Sequence, residues 1–223
     1  VESQLVLRFQ READALLRLR HSAIVGWRDA GQDEAGAPWV AFELMPGGTL
    51  GELIKLRGPL PPPEAVSLTL DLCLGLAAVH AAGFLHRDLK PGNVLIGGDG
   101  RPKLADFGLV RPIARGQSLT HTGVAMGSPG FMAPEQVRGE KADTGPATDV
   151  YGLGATLFFA CTGQPPFQAS SSLACLEAIV SQPAPAASAL NPAVPAALDA
   201  ILLRCLAKRP EERYPSARAL HTA

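Results

Sequence analysis

Residues 86–108 read His86-Arg87-Asp88-Leu89-Lys90-Pro91-Gly92-Asn93-Val94-Leu95-Ile96-Gly97-Gly98-Asp99-Gly100-Arg101-Pro102-Lys103-Leu104-Ala105-Asp106-Phe107-Gly108. Val94-Leu95-Ile96 has the composition of a short buried strand, Gly97-Gly98-Asp99-Gly100 that of a turn, and Pro102-Lys103-Leu104-Ala105 that of a second strand. In an antiparallel hairpin, the residue entering the first strand and the residue leaving the second lie side by side at the open end. Here those residues are Asn93 and Asp106. An amide oxygen and a carboxylate at one edge make half of an oxygen-ligand site for magnesium. Asp88 lies five positions before Asn93, in the loop that feeds the same end.

Upstream, Pro61-Pro62-Pro63-Glu64 opens a long helix that is expected to end near Gly83. Before it, Met45-Pro46-Gly47-Gly48 breaks the chain, and Thr49 with Glu52 forms a capping-box pattern for a short helix through Leu56. Two strands are expected at Ile24–Arg28 and Trp39–Leu44, separated by a polar turn at Ala30–Gly36. Leu5, Phe9, Ala13, Leu16 and Leu17 recur at helical spacing, so Glu2–Arg20 reads as an amphipathic helix. Glu12 falls between Phe9 and Leu16 and places a carboxylate on the apolar face of that helix. Downstream, the pattern is helical again from Asp149. Gln182–Pro195, rich in Ala and Pro, reads as a surface loop. A helical run covers Ala196–Leu206, and Arg213 precedes a short C-terminal helix.

Composition narrows the function classes. The formal net charge of -1 gives no field for nucleic acid or an anionic membrane, so neither is expected as a partner. The four cysteines, Cys73, Cys161, Cys175 and Cys205, form no CxxC pair. Free thiols are therefore expected in place of a disulfide framework or a zinc site. The most apolar stretches, Leu68–Leu85 and Tyr151–Phe167, are interrupted by Asp71 and His80 and by glycines and prolines, and neither reads as a membrane span.

The motifs stand in a fixed order: His86-Arg87-Asp88-Leu89-Lys90-Pro91-Gly92-Asn93, then Asp106-Phe107-Gly108, then Ala133-Pro134-Glu135. This series resembles the signature set of the eukaryotic-type protein kinases: catalytic loop, metal-binding turn and end of the activation segment. Arg8-Phe9-Gln10-Arg11-Glu12 is similar to the family's αC helix with its ion-pair Glu. Asp149-Val150-Tyr151-Gly152-Leu153-Gly154 resembles its αF helix, and Arg213 fits the Arg that pairs with the Glu of Ala-Pro-Glu, here Glu135. Ser118-Leu119-Thr120-His121-Thr122 and Pro134-Glu135-Gln136 look most like bacterial Ser/Thr kinases.

The resemblance implies an α+β, two-lobed kinase-like fold. Residues 1–45 would be a partial N-terminal lobe from the αC helix to the hinge, and residues 46–223 a mostly helical C-terminal lobe. The implied activity is transfer of the ATP γ-phosphate to Ser or Thr hydroxyls of proteins, with ATP and Mg²⁺ bound. Asp88 would accept the hydroxyl proton. Lys90 would neutralise charge on the moving phosphoryl group, and its place two residues after Asp88 argues for Ser/Thr over Tyr. Asn93 and Asp106 would hold Mg²⁺. Phe42 would be the gatekeeper, the backbone of Glu43 and Met45 would bond the purine, and Leu95 would form part of the adenine floor. His86 would be structural, packed under Phe107, with Gly108 completing the turn. Arg87 would receive a phosphate placed on Thr120 or Thr122, sites that copies of the protein could modify in one another by self-association. A kinase domain of this kind would act in the cytoplasm.

The sequence also departs from the family's pattern. No Gly-rich phosphate loop and no Val-Ala-Ile-Lys strand occur, and the first lysine is Lys55. In the family both elements precede the αC helix. The chain is therefore expected to be an N-terminally truncated fragment, poorly active by itself, in which Glu12 has no lysine partner. Ser128 replaces the usual Thr of the peptide-binding loop and keeps a hydroxyl, while Gly152 stands where Ser is common. The alternative reading is a pseudokinase or scaffold that binds partners without catalysis.

Overall fold

The computed structural model describes residues 19–34, 38–106 and 129–223. Glu12 and most of the expected N-terminal helix lie outside the described residues, as do Phe107, Gly108, Thr120, Thr122 and Ser128. Leu19 and Arg20, expected at the end of that helix, are described and are not helical. A turn closed by the Ile24 N–H on the His21 carbonyl follows them, and the His21 ring nitrogen Nδ1 accepts the Ala23 N–H at 3.1 Å.

The fold is α+β, with two antiparallel two-stranded sheets ahead of and within a helical body. Strand β1 is Trp27–Gln32 and β2 is Pro38–Phe42. They pair from Trp27 opposite Phe42 to Gln32 opposite Pro38, with an irregularity between Trp27 and Asp29. The first strand thus lies several residues later than the apolar run Ile24–Arg28 suggested, and the expected turn at Ala30–Gly36 contributes its first three residues to the ladder. Both faces of this ribbon are largely open to solvent, so its polar residues cost nothing there, and apolar content does not mark its start.

The run Ala23-Ile24-Val25 is buried, as its composition required, but it bonds to the other sheet. The Val25 N–H donates to Leu104, the Leu104 N–H donates to Ala23, both at 2.9 Å, and Ile24 forms a parallel bridge with Leu104.

Helix α1, Leu50–Arg57, starts at the expected capping box. Thr49 Oγ1 accepts the Glu52 N–H at 3.0 Å and Glu52 Oε2 accepts the Thr49 N–H at 2.8 Å. Helix α2, Pro62–Ala81, buries Leu68, Leu72, Leu76 and Val79 along one stripe. It is long and apolar enough to cross a membrane; Leu68, Leu72 and Leu76 lie in the core, while Leu70 and Leu74 are exposed. The hairpin follows as β3, Val94–Ile96, and β4, Pro102–Leu104, paired as expected with Val94 opposite Leu104.

Helices α3, Pro134–Arg138, α4, Pro146–Thr162, α5, Ser172–Ser181, α6, Ala196–Cys205, and α7, Ala217–Thr222, complete the body. Helix α4 is its axis: Val150, Tyr151, Leu153, Ala155, Phe158 and Cys161 are all buried, which places the helix in contact with other elements on every side. Helix α6 packs on α4, and α7 packs on both α2 and α4. The stretch Gln182–Pro195 is less of a surface loop than its composition suggested. Ala187 and Val194 are buried, and the Asn191 side chain donates to the Cys161 carbonyl at 2.7 Å. All four cysteines are free and buried.

Candidate active site

The hairpin register places Asn93 at the mouth of β3, where its carbonyl accepts the Ala105 N–H at 2.9 Å. Asp106 follows directly and turns away through a left-handed backbone, φ 58°. Asn93 and Asp106 therefore lie at one end of the hairpin, as its pattern required, with Asp106 one step beyond the paired residue.

Asn93 Nδ2 donates to the Asp88 carbonyl at 2.8 Å and to Asp88 Oδ2 at 2.9 Å. With its nitrogen turned to Asp88, the amide presents its oxygen elsewhere. Lys90 Nζ reaches the same Asp88 Oδ2 at 2.6 Å. Two donors thus hold one carboxylate oxygen, Oδ2, and the Asp88 side chain is 36% exposed. Asn93 and Asp106, at one end of the hairpin, could each offer a hard oxygen to Mg²⁺. Among the described residues no group of three or more His, Cys, Asp and Glu could hold an ion. The rest of a magnesium shell would come from water and phosphate oxygens, the usual state of that ion.

The loop carrying Asp88 is bent at Arg87, a non-glycine residue at φ 65°. Such a backbone costs about 1–2 kcal/mol and needs outside support. Asp149, fully buried in α4, supplies part of it. Its Oδ1 accepts the Arg87 N–H at 2.7 Å, and its Oδ2 accepts the His86 N–H and bonds His80 Nε2, both at 2.8 Å. His86 Nε2 bonds the Ala105 carbonyl at 3.0 Å, and His86 Nδ1 faces the Asp88 N–H at 3.4 Å. These partners select the neutral tautomer with its hydrogen on Nε2. Burial pushes the imidazole pKa below its ordinary value, against the pull of Asp149, and so favours the same neutral form. His86 thereby ties the Asp88 loop to the residue that precedes Asp106.

Glu135 and Arg213, paired across 78 positions, meet as expected. Arg213 donates to Glu135 Oε1 at 2.7 Å and Oε2 at 2.8 Å, and its other hydrogens reach the carbonyls of Ala207, Ala147 and Lys208. All five guanidinium hydrogens have an acceptor, which is what a buried Arg requires.

Between β2 and α1, the Glu43 side chain accepts hydrogen bonds from the Gly26 N–H and from Lys103 Nζ–H, each at 2.7 Å. Burial works against its charge, but the Lys103 and Gly26 hydrogen bonds, with the charges of Lys103 and Arg28, outweigh it and lower its pKa. The Glu43 N–H donates to Gly26 at 2.8 Å, so Glu43 would offer a purine its carbonyl. The Met45 carbonyl accepts the Gly48 N–H at 3.3 Å, so Met45 would offer its N–H. Leu95 is half-buried and Phe42 is exposed.

Sequence reading missed two participants. His80 sits in an apolar helix and gave no signal beyond its polarity. Gln136 lay within a motif but carried no assigned role; its side chain bridges α3 to the Arg87 carbonyl. Gly152, noted only as standing where Ser is common, marks a close approach: a Cβ there would stand 2.9 Å from Leu89 Cβ, so the loop carrying Asp88 rests tightly on α4.

Comparison with known proteins agrees with these motifs over nearly the whole chain. The family described as Protein kinase domain matches residues 2–223. Serine/threonine-protein kinase PknL of Mycobacterium tuberculosis (strain ATCC 25618 / H37Rv) is 42% identical over 219 residues, 98% of this chain and 54% of PknL. Serine/threonine-protein kinase PknB of Mycobacterium leprae (strain TN) is 37% identical over 214 residues, 95% of this chain and 34% of PknB. The chain thus spans about half the length of one relative and about a third of the other.

Proposed function

The chain belongs to the protein kinase domain family, and on that premise we propose that it carries the catalytic machinery of a protein Ser/Thr kinase using ATP and Mg²⁺. The observation that carries this reading is the Asp88 carboxylate, held through one oxygen by Lys90 and Asn93 beside the Asn93–Asp106 end of the hairpin.

Asp88 Oδ1 receives the proton of the acceptor hydroxyl, as a general base placed where the hydroxyl arrives. Lys90 keeps Asp88 oriented and balances negative charge on the transferred group. Asn93 Oδ1 and the Asp106 carboxylate would hold Mg²⁺, which would neutralise phosphate charge. Glu43 and Met45 offer backbone groups to the purine and Leu95 a wall. The division into residues 1–45 and 46–223, a cytoplasmic place where ATP is at hand, protein substrates, and mutual phosphorylation at Thr120 or Thr122 received by Arg87 are parts of the same proposal.

The test is product chemistry. The full-length protein, given MgATP and an acceptor protein offering Ser, Thr and Tyr, is expected to yield phosphoserine and phosphothreonine. Phosphotyrosine as the main product, or no transfer, would overturn the proposal.

A further inference from the structure

Gln136, in the first turn of α3, spans two elements with one carboxamide. Its Oε1 accepts the Ala133 N–H at 2.9 Å, and its Nε2 donates to the Arg87 carbonyl at 2.7 Å. A backbone N–H must face an acceptor and a carbonyl must face a donor, so the two partners fix which way the amide points. They also select the residue type. Glu has the length but two acceptors, and Asn has both groups but is one methylene shorter.

The Arg87 carbonyl is a critical point to hold. Arg87 sits at φ 65°. Asp149 fixes the peptide before it, through the Arg87 N–H at 2.7 Å, and Gln136 fixes the peptide after it, through the carbonyl. The two bonds flank the φ and ψ of Arg87 and so set them. The second peptide is also the one that delivers Asp88, and its plane sets the direction in which the Asp88 side chain leaves the chain. Gln136 is anchored in turn, because its neighbour Glu135 is locked to buried Arg213.

We propose that Gln136 is a positioning residue for the catalytic Asp88, and that it couples the far end of the activation segment to the catalytic loop through the Arg87–Asp88 peptide. This rests on the kinase reading of the same site. When α3 moves relative to the loop, Arg87 loses the support of its left-handed backbone and Asp88 loses its aim.

Two variants of the full-length protein separate this role from a structural one. Gln136→Glu keeps an oxygen for the Ala133 N–H and turns a second acceptor on the Arg87 carbonyl. Gln136→Lys keeps a donor for that carbonyl and gives up the Ala133 contact. Gln136→Glu is expected to lower kcat by about tenfold or more with the KM for ATP changed by less than about twofold. Gln136→Lys is expected to retain kcat within about threefold of the parent. Full kcat in Gln136→Glu, equal losses in both variants, or loss of kcat only in step with a fallen unfolding midpoint would each overturn the proposal. Asp88→Asn is run beside them. If it loses transfer while Gln136→Glu does not, the clamp is wrong and the kinase reading stands. If Asp88→Asn retains transfer, the reading beneath the clamp fails.

Discussion

Asp149 and His86 give buried backbone groups beside the Asp88 loop their complementary partners. Asp149 takes the two backbone hydrogens that a left-handed Arg87 would otherwise leave unbonded, and His86 offers its Nε2 hydrogen to the Ala105 carbonyl. The Glu135–Arg213 pair shows the energetic stake. Its side chains are 1% and 0% exposed, so removing one partner strands a charge. Arg213→Met is expected to cost about 3–5 kcal/mol of stability, read as a lower denaturant midpoint at unchanged slope. A loss under about 1 kcal/mol would show that water reaches Glu135. The pair was legible through the family resemblance, which places Glu135 in Ala-Pro-Glu and fits Arg213 to its partner. His80 was not legible, since a lone histidine on an apolar helix has no pattern to betray a carboxylate 69 positions away.

Local chemistry fixed some elements and tertiary pairing fixed others. The β3–β4 hairpin and the Thr49–Glu52 cap form where the sequence places them, because turn residues and cap partners lie within a few positions of each other. Strand β1 does not, because its ends depend on β2, and because the apolar run before it belongs to the core beside Leu104. Packing between α4 and α6 depends on one glycine. A Cβ on Gly154 would stand 2.4 Å from the Cys205 Cβ, inside any normal contact. Gly154→Ala is therefore expected to force the two helices apart and cost about 1–3 kcal/mol. Helix propensity acts in the opposite direction by about 1 kcal/mol. A variant more stable than the parent would show that the α4–α6 contact yields freely.

Across the whole molecule, the buried thiols link packing to pH. Burial pushes Cys73 and Cys205 up to about 12 and Cys161 up to about 11, against an ordinary 9.0. The folded chain keeps these protons while the unfolded chain loses them, so stability held below about pH 9 is lost as pH rises through the folded values. Lys208 opposes part of this: burial lowers it from 10.5 to about 8, and its contribution to stability grows over that interval. The fall in unfolding midpoint between about pH 8.5 and 10.5 is expected to be smaller in Cys73→Ala than in the parent, and equal slopes would remove the thiol from the account. The helical body frames the loop and the hairpin mouth, and the proposed transfer depends on Asp88. Its most direct test compares Asp88→Asn with the parent in the full-length protein, measuring phosphoryl transfer to a Ser/Thr acceptor and MgATP affinity by calorimetry. Asp88→Asn is expected to show a kcat lower by about 10²–10⁴ with nucleotide affinity within about twofold, because the base is lost and the metal ligands remain. Turnover near that of the parent would contradict it.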